Sequence, residues 1–71
     1  MPTAKLFVRD LRSASDERRL EDALARVDGV FAALASCRDA CVEVDFEDDE
    51  VTVGEIVAAA ESAGFAVELA G

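Results

Sequence analysis

The order in which the apolar periodicity changes along the chain is the strongest constraint on its fold. Alternating segments predict β-strands, and apolar residues three and four positions apart predict amphipathic helices. These patterns occur in the order strand, helix, strand, strand, helix, strand within 71 residues. The predicted strands span residues 3–8, 30–36, 42–46 and 65–69, and the first helix spans about 16–27.

The second helix has the clearest start signal in the chain. Thr52 and Glu55 have the spacing of a capping box, and Val51 with Ile56 has that of a hydrophobic staple. Gly64 stands where a helix-ending glycine is expected. We therefore predict a helix between Thr52 and Gly64.

The first helix is predicted from an apolar stripe and from signals at both of its ends. Ser13 or Ser15 supplies the N-cap, and Gly29 is expected to form a left-handed C-terminal cap. The stripe consists of Leu20, Ala23, Leu24 and Val27.

These elements predict one fold for the whole chain. With right-handed crossovers, two βαβ halves give an α+β, ferredoxin-like βαββαβ sandwich. Two helices would cover one face of a four-stranded antiparallel sheet, and the other face would meet water. The chain, residues 1–71, is long enough for one domain.

Charge and composition exclude several classes of function. The net charge is −9, so the surface repels nucleic-acid phosphate and anionic lipid. The chain has no histidine and no glycine-rich phosphate loop, which removes the commonest general base and one common binding motif. No apolar run is long enough to cross a membrane, and the first ten residues lack the apolar stretch of a secretory signal. We expect a cytoplasmic binding protein that is not an enzyme.

Several segments resemble the heavy-metal-associated domain, a family that includes copper chaperones and the amino-terminal modules of metal-exporting ATPases. They are "LFV" at 6–8, "LEDAL..VDGV" at 20–30, "VEVDF" at 42–46 and "VTVGEIVAAAESAGF" at 51–65. The resemblance covers nearly the whole chain and implies the same ferredoxin-like fold. It also implies a setting in heavy-metal handling, with another such domain or a metal-transporting ATPase as partner.

The metal loop of that family is not present in this chain. In the family, Gly-Met-Thr-Cys-x-x-Cys lies between the first strand and the first helix, which corresponds here to "DLRSASD" at 10–16. Leu11 takes the methionine position, and Ser13 and Asp16 take the two cysteine positions. Cu(I) is held by soft thiolates, which a hydroxyl and a carboxylate do not replace. We expect Ser13 and Asp16 to cap the first helix.

The only two cysteines, Cys37 and Cys41, lie in "SCRDAC" at residues 36–41. In the predicted fold this turn lies at the same end of the sheet as the family's metal loop. One interpretation is a displaced site for a soft ion such as Cu(I). The other is that Cys37 is a small core residue and Cys41 an incidental thiol.

Two pairings of the second and third strands are compatible with the sequence. A three-residue turn, 38–40, places Cys37 opposite Cys41 within disulfide range and pairs Leu34 with Val44. The spacing of the family instead pairs Cys37 with Val42 and separates the two sulfurs onto different faces. Leu34 would then point outward, and the residues facing the core would be Phe31, Ala33, Ala35 and Cys37.

These alternatives lead to two hypotheses about function. In the first, the chain is a binding module that handles a soft heavy-metal ion through Cys37 and Cys41, alone or with a partner chain, as a monomer or a weak dimer. In the second, it is an interaction or regulatory domain that keeps the fold and binds no metal. It would dock through the open face of the sheet, where Phe7 points, or through the end of the sheet next to the predicted first loop, residues 10–15. We call this end the loop end. The acidic stretch 47–50 is expected to be a solvated loop, because it lacks the spacing of an EF-hand.

The composition also predicts adaptation to high salt. The chain has 16 acidic residues and a single lysine, Lys5, so its surface is self-repelling at low ionic strength. Salt screens this repulsion. We expect the melting temperature, followed by circular dichroism, to rise between low and molar sodium chloride, and a fall would contradict the prediction.

Overall fold

The computed structural model describes residues 2–69 and contains the six elements in the predicted order. The sheet has the strand order β2-β3-β1-β4, and all neighbouring strands are antiparallel. The ferredoxin-like α+β sandwich is therefore confirmed. Within the described range, neither helix has the length and apolar character needed to cross a membrane. The elements are β1 (Thr3–Val8), α1 (Ala14–Ala25), β2 (Val30–Ser36), β3 (Cys41–Phe46), α2 (Val53–Ser62) and β4 (Val67–Leu69).

The core lies between the two helices and one face of the sheet. In β1 the alternation is strict: Leu6 and Val8 are fully buried, whereas Lys5 and Phe7 are exposed on the open face. Besides Ala4 of β1, the remaining core residues come from both helices, from β2 and β3 and from the loops. Those from the helices and loops are Leu11, Leu20, Leu24, Val51, Ile56, Ala60 and Phe65.

Three of the four predicted helix ends agree with the structure. The fourth is wrong, since the C-cap of α1 is Arg26 and Gly29 lies three residues beyond it. The Thr52 side chain accepts a hydrogen bond from the Glu55 backbone, and the Glu55 side chain accepts one from the Thr52 backbone, so the capping box is complete. Ser13, and not Ser15, is the N-cap of α1. That helix begins and ends two residues before its predicted bounds, and Val27 packs against the core from outside it.

β4 is shorter than predicted and begins at Val67. The Phe65 N–H donates to the Ala60 carbonyl at the end of α2, and the Ala66 N–H donates to the Asp10 carboxylate. Both amides are therefore bonded outside the sheet.

Gly29 connects α1 to β2 at a point that requires glycine. Its φ is +94°, a region that L-residues with side chains rarely adopt. A Cβ added there would lie 2.9 Å from the Glu50 Cβ and 3.0 Å from the Val51 Cγ1. The Gly29 carbonyl also accepts the Glu47 N–H, which holds the acidic loop against this turn.

We expect Gly29→Ala to lower the free energy of unfolding by about 1–3 kcal/mol, because backbone strain and the close contact add. Gly54→Ala is the matched control. Gly54 lies inside α2, and its added Cβ would meet only the Thr52 Oγ1, at 3.8 Å, so it should stabilise by up to about 1 kcal/mol. Urea unfolding of the two variants measures the difference. Equal stability would show that the Gly29 conformation is unimportant.

Candidate functional site

Ser13 and Asp16, which the resemblance aligns with the two cysteines of the metal loop, form a helix cap in this chain. Ser13 has extended backbone, and its Oγ accepts the Asp16 N–H at 3.2 Å. The Asp16 Oδ2 in turn accepts the Arg12 N–H at 3.0 Å. Capping of α1 by Ser13 was predicted and is what the structure contains. Both side chains therefore satisfy backbone donors at the start of α1.

Arg19 joins this loop to the turn between α2 and β4. Its Nη1 lies 3.4 Å from the Asp16 Oδ1, and its Nη2 donates to the Ala63 carbonyl at 3.1 Å. The guanidinium also lies over the Phe65 ring, 4.9 Å from its centre. The apolar and capping patterns of the sequence do not point to Arg19. Its spacing from Asp16, three residues along one helix, is the only local signal that pairs them.

The hairpin turn between β2 and β3 contains four residues, 37–40, and both predicted pairings are wrong. Ser36 pairs with Cys41, and Ala35 pairs with Val42. The Ser36 Oγ accepts the Asp39 N–H at 3.4 Å within the turn, and Ala40 closes the turn with φ +53°. The Val8 N–H donates to the Ala40 carbonyl at 2.8 Å, which fixes the turn against the end of β1.

The directions of the side chains in β2 nevertheless follow the second predicted pairing. The observed pairing differs from it by two residues, and a shift of two keeps every side chain on its face. Ala35 is buried, Ala33 packs against the core, and Leu34 is 68% exposed on the other side. Phe31 was predicted to face the core and is 60% exposed, because an irregularity between Val30 and Ala32 shifts the ladder there.

Cys37 and Cys41 occupy opposite sides of the sheet. Cys37 packs against the core cluster at the end of β2, and it forms no disulfide. Cys41 lies directly opposite Phe7 on the open face, yet only 6% of it is exposed. Since neighbouring positions of a strand alternate between faces, Cys41 and the buried Val42 point in opposite directions. In this conformation the two thiols do not converge on one point.

Two glutamates of α1 bind the outer edge of β2. The Cys37 N–H donates to the Glu17 Oε2 at 2.7 Å, and the Ala35 N–H donates to the Glu21 Oε2 at 2.8 Å. The hydrogen bond from the Cys37 backbone is the main reason that the pKa of Glu17 lies below its ordinary value. No sequence pattern marks either glutamate as a contact residue.

Glu17 also affects the Cys37 thiol. A hydrogen bond between the thiol and this carboxylate raises the pKa of Cys37, and desolvation and the negative charge of Glu17 act in the same direction. The raised pKa stabilises the fold below the pKa of an unfolded cysteine, and this contribution is lost as the pH rises through the folded value. The lowered pKa of Glu17 stabilises the fold above the pKa of an unfolded glutamate, and that is lost as the pH falls through the folded value.

The acidic loop after β3 brings three carboxylates close together. Oxygens of Glu47, Asp48 and Asp49 lie within 4.8 Å of one another, and the two aspartates are exposed. Exposed acidic clusters of this kind are common in proteins without a bound ion. The loop is held by its own backbone, since the Glu47 carbonyl accepts the N–H groups of Glu50 and Val51.

The chain is similar in structure to several solved metal-binding and metal-transport domains. No protein-family model matches the chain, and no curated protein matches it. A copper-binding domain from HMA7, a P-type ATPase, is 28% identical with a TM-score of 0.96, over 100% of this chain and 96% of that one. The CopZ metallochaperone is 27% identical with a TM-score of 0.91, over 94% and 100%. Oxidised MerP from Ralstonia metallidurans CH34 is 20% identical with a TM-score of 0.93, over 99% and 97%.

We expect Glu17→Gln to lower the pKa of Cys37, because the substitution removes a negative charge beside the thiol. The thiolate is the reactive form, so alkylation by iodoacetamide at about pH 8 should become faster. Mass spectrometry in a Cys41→Ala background follows Cys37 alone. Glu21→Gln is the matched control, because its carboxylate binds Ala35 and should leave the rate near that of the background protein. Equal rates in the two glutamine variants would contradict the assignment to Glu17.

Proposed function

We propose that this chain, which has the heavy-metal-associated fold but lacks the two thiolates of that family's metal loop, is an interaction module in heavy-metal homeostasis. It would dock a partner domain without carrying an ion at that loop, and it would catalyse no reaction. The observation that supports this most strongly is that Ser13 and Asp16 are both engaged in the N-cap of α1. The setting is supported by the copper-binding ATPase domain and the metallochaperone to which the chain is similar.

The loop end is packed by this chain's own side chains, which supports a docking role. Leu11, at the family's methionine position, is buried, and so is Phe65 on the neighbouring turn. Arg19 links the loop before α1 to the turn after α2, because its guanidinium bonds to Asp16 and to the Ala63 carbonyl. A partner such as another heavy-metal-associated domain, or that of a metal-transporting ATPase, would therefore meet a surface packed by this chain's own side chains.

A second candidate is capture of a soft ion by the cysteines. It is favoured by the position of the hairpin turn, which the hydrogen bond from Val8 to Ala40 holds at the loop end. Cys37 and Cys41 lie on opposite faces, so one chain would have to rearrange its turn to use both. Two chains that each supply the partly exposed Cys37 could share one ion with no rearrangement. The cytoplasm, where thiols remain reduced, is the compartment we propose for either function.

Titration of reduced protein with Cu(I), against a competing chelator, distinguishes these functions. We expect the unmodified chain to take no Cu(I) from the chelator. The matched control is Ser13→Cys with Asp16→Cys, which restores two thiolates at the family spacing and should bind one ion per chain. Circular dichroism and sedimentation confirm that both proteins are folded and report their association.

Each other outcome of this titration contradicts the proposal in a specific way. Half an ion per chain, with dimers that disappear in Cys37→Ser, would establish the shared site. One ion per chain, lost in both Cys37→Ser and Cys41→Ser, would establish a rearranged site within one chain. Wild-type binding as strong as that of the restored variant, and independent of both cysteines, would show that oxygen ligands suffice.

A further inference from the structure

β2 is an outer strand of the sheet, and α1 covers only part of its free edge. The N–H groups of Ala35 and Cys37 point away from β3, because both donate to glutamates of α1. Backbone N–H groups alternate in direction along an antiparallel strand, so the Ala33 N–H also points outward. Within residues 2–69, no loop carbonyl or side chain accepts that N–H.

The spacing of the two glutamates explains why the cover stops there. Glu17 and Glu21 are one helical turn apart, a rise of about 6 Å, and their partners Cys37 and Ala35 are two strand residues apart, about 6.6 Å. The helix and the strand therefore stay in step along this edge. The next position in the series is Ala25, which would be level with Ala33 and has no carboxylate. No carboxylate of α1 is therefore in position to accept the Ala33 N–H.

Exposed apolar side chains border the same uncovered segment. Phe31 is 60% exposed at the irregular start of β2, and Leu34 is 68% exposed on the open face. Natural edge strands are usually protected by charged side chains, by proline or by bulges, because a free edge pairs with other strands. Here the C-terminal part of β2 is protected by Glu17 and Glu21, whereas in residues 31–34 the outward Ala33 N–H lies between exposed apolar side chains. We call residues 31–34 the uncovered edge.

We propose that the uncovered edge binds an extended, positively charged segment of a partner protein, which adds to the sheet as a fifth strand beside β2. Backbone hydrogen bonds from Ala33 would supply affinity, and apolar residues of the segment would pack on Phe31 and Leu34. This surface lies apart from the loop end, and the proposal goes beyond the proposed function, since it holds whether or not the chain binds Cu(I).

Charge selects the occupant. The net charge of −9 repels a second copy of this chain and attracts a cationic one. The neighbouring strand adds local negative charge, because Leu34 and Ala32 pair with Glu43 and Asp45 on the open face. A segment that alternates Lys or Arg with β-branched residues therefore matches both the charge and the pleat of this edge.

The probe is a synthetic peptide of about eight residues that alternates lysine and valine. Amide hydrogen exchange and NMR shifts of the full chain report the site. In the free protein, the Ala33 amide should exchange faster than those of Ala35 and Cys37. Added peptide should slow its exchange and shift β2 signals, and the affinity should fall as salt is added. A peptide of lysine and proline keeps the charge but lacks alternate N–H donors, and it should bind at least about tenfold more weakly.

Ala25→Glu tests whether the lack of a carboxylate opposite Ala33 leaves this edge open to a partner. The new carboxylate should protect the Ala33 amide from exchange in the free protein and lower the affinity for the lysine–valine peptide about tenfold. The added negative charge alone would instead raise that affinity. Ala58→Glu adds the same charge on an exposed position of α2 and should bind at least as well as wild type. Equal binding by Ala25→Glu, or by the lysine–proline peptide, would overturn the proposal. Protection of Ala33 that rises with protein concentration alone would assign the edge to a second copy and would overturn the cationic occupant.

Discussion

The pairing of β2 with β3 determines what the two cysteines can do. Shifting an antiparallel pairing by one residue turns every side chain of a strand to the other face, whereas shifting it by two preserves the faces. The observed pairing, Ser36 with Cys41, belongs to the set in which Cys37 faces the core. A three-residue turn would have placed the thiols opposite each other, and a four-residue turn separates them. The arrangement of possible ligands therefore depends on the length of one turn.

Contacts from outside the hairpin hold the turn at residues 37–40. Glu17 accepts the Cys37 N–H at the point where β2 ends, and Val8 donates to Ala40 on the other side of the turn. These contacts use the backbone of residues that a metal site would have to move. The carboxylate of Glu17 also keeps the pKa of Cys37 raised, which disfavours the thiolate that a soft ion needs. The backbone contacts of the turn and the raised pKa of Cys37 therefore both disfavour binding of a soft ion by this thiol.

The parts of the structure that sequence predicted are those encoded by neighbouring residues. Thr52 with Glu55, Ser13 at the start of α1 and Gly64 at the end of α2 all act within a few residues, so spacing alone identifies them. Gly29 has the expected left-handed backbone but does not cap α1, because that helix ends earlier, at the Arg26 C-cap. The pairing of β2 was not predictable in this way, since the irregularity near Phe31 and the Ser36–Asp39 turn shift it in ways that alternation does not report. Glu17 and Glu21 looked like ordinary solvated charges, because a sequence does not show which backbone N–H groups a sheet leaves free.

The loop end has the heavy-metal-associated fold's shape with no thiol in the loop between β1 and α1. In this chain Asp16 contacts Arg19, which reaches the Ala63 carbonyl and the Phe65 ring across the molecule. Arg19 is largely exposed, so its ion pair with Asp16 contributes only about 0–1 kcal/mol. Leu11 and Phe65 are buried, and burial of such side chains is worth about 1.5–3 kcal/mol each. Apolar packing therefore outweighs this ion pair in closing the loop end.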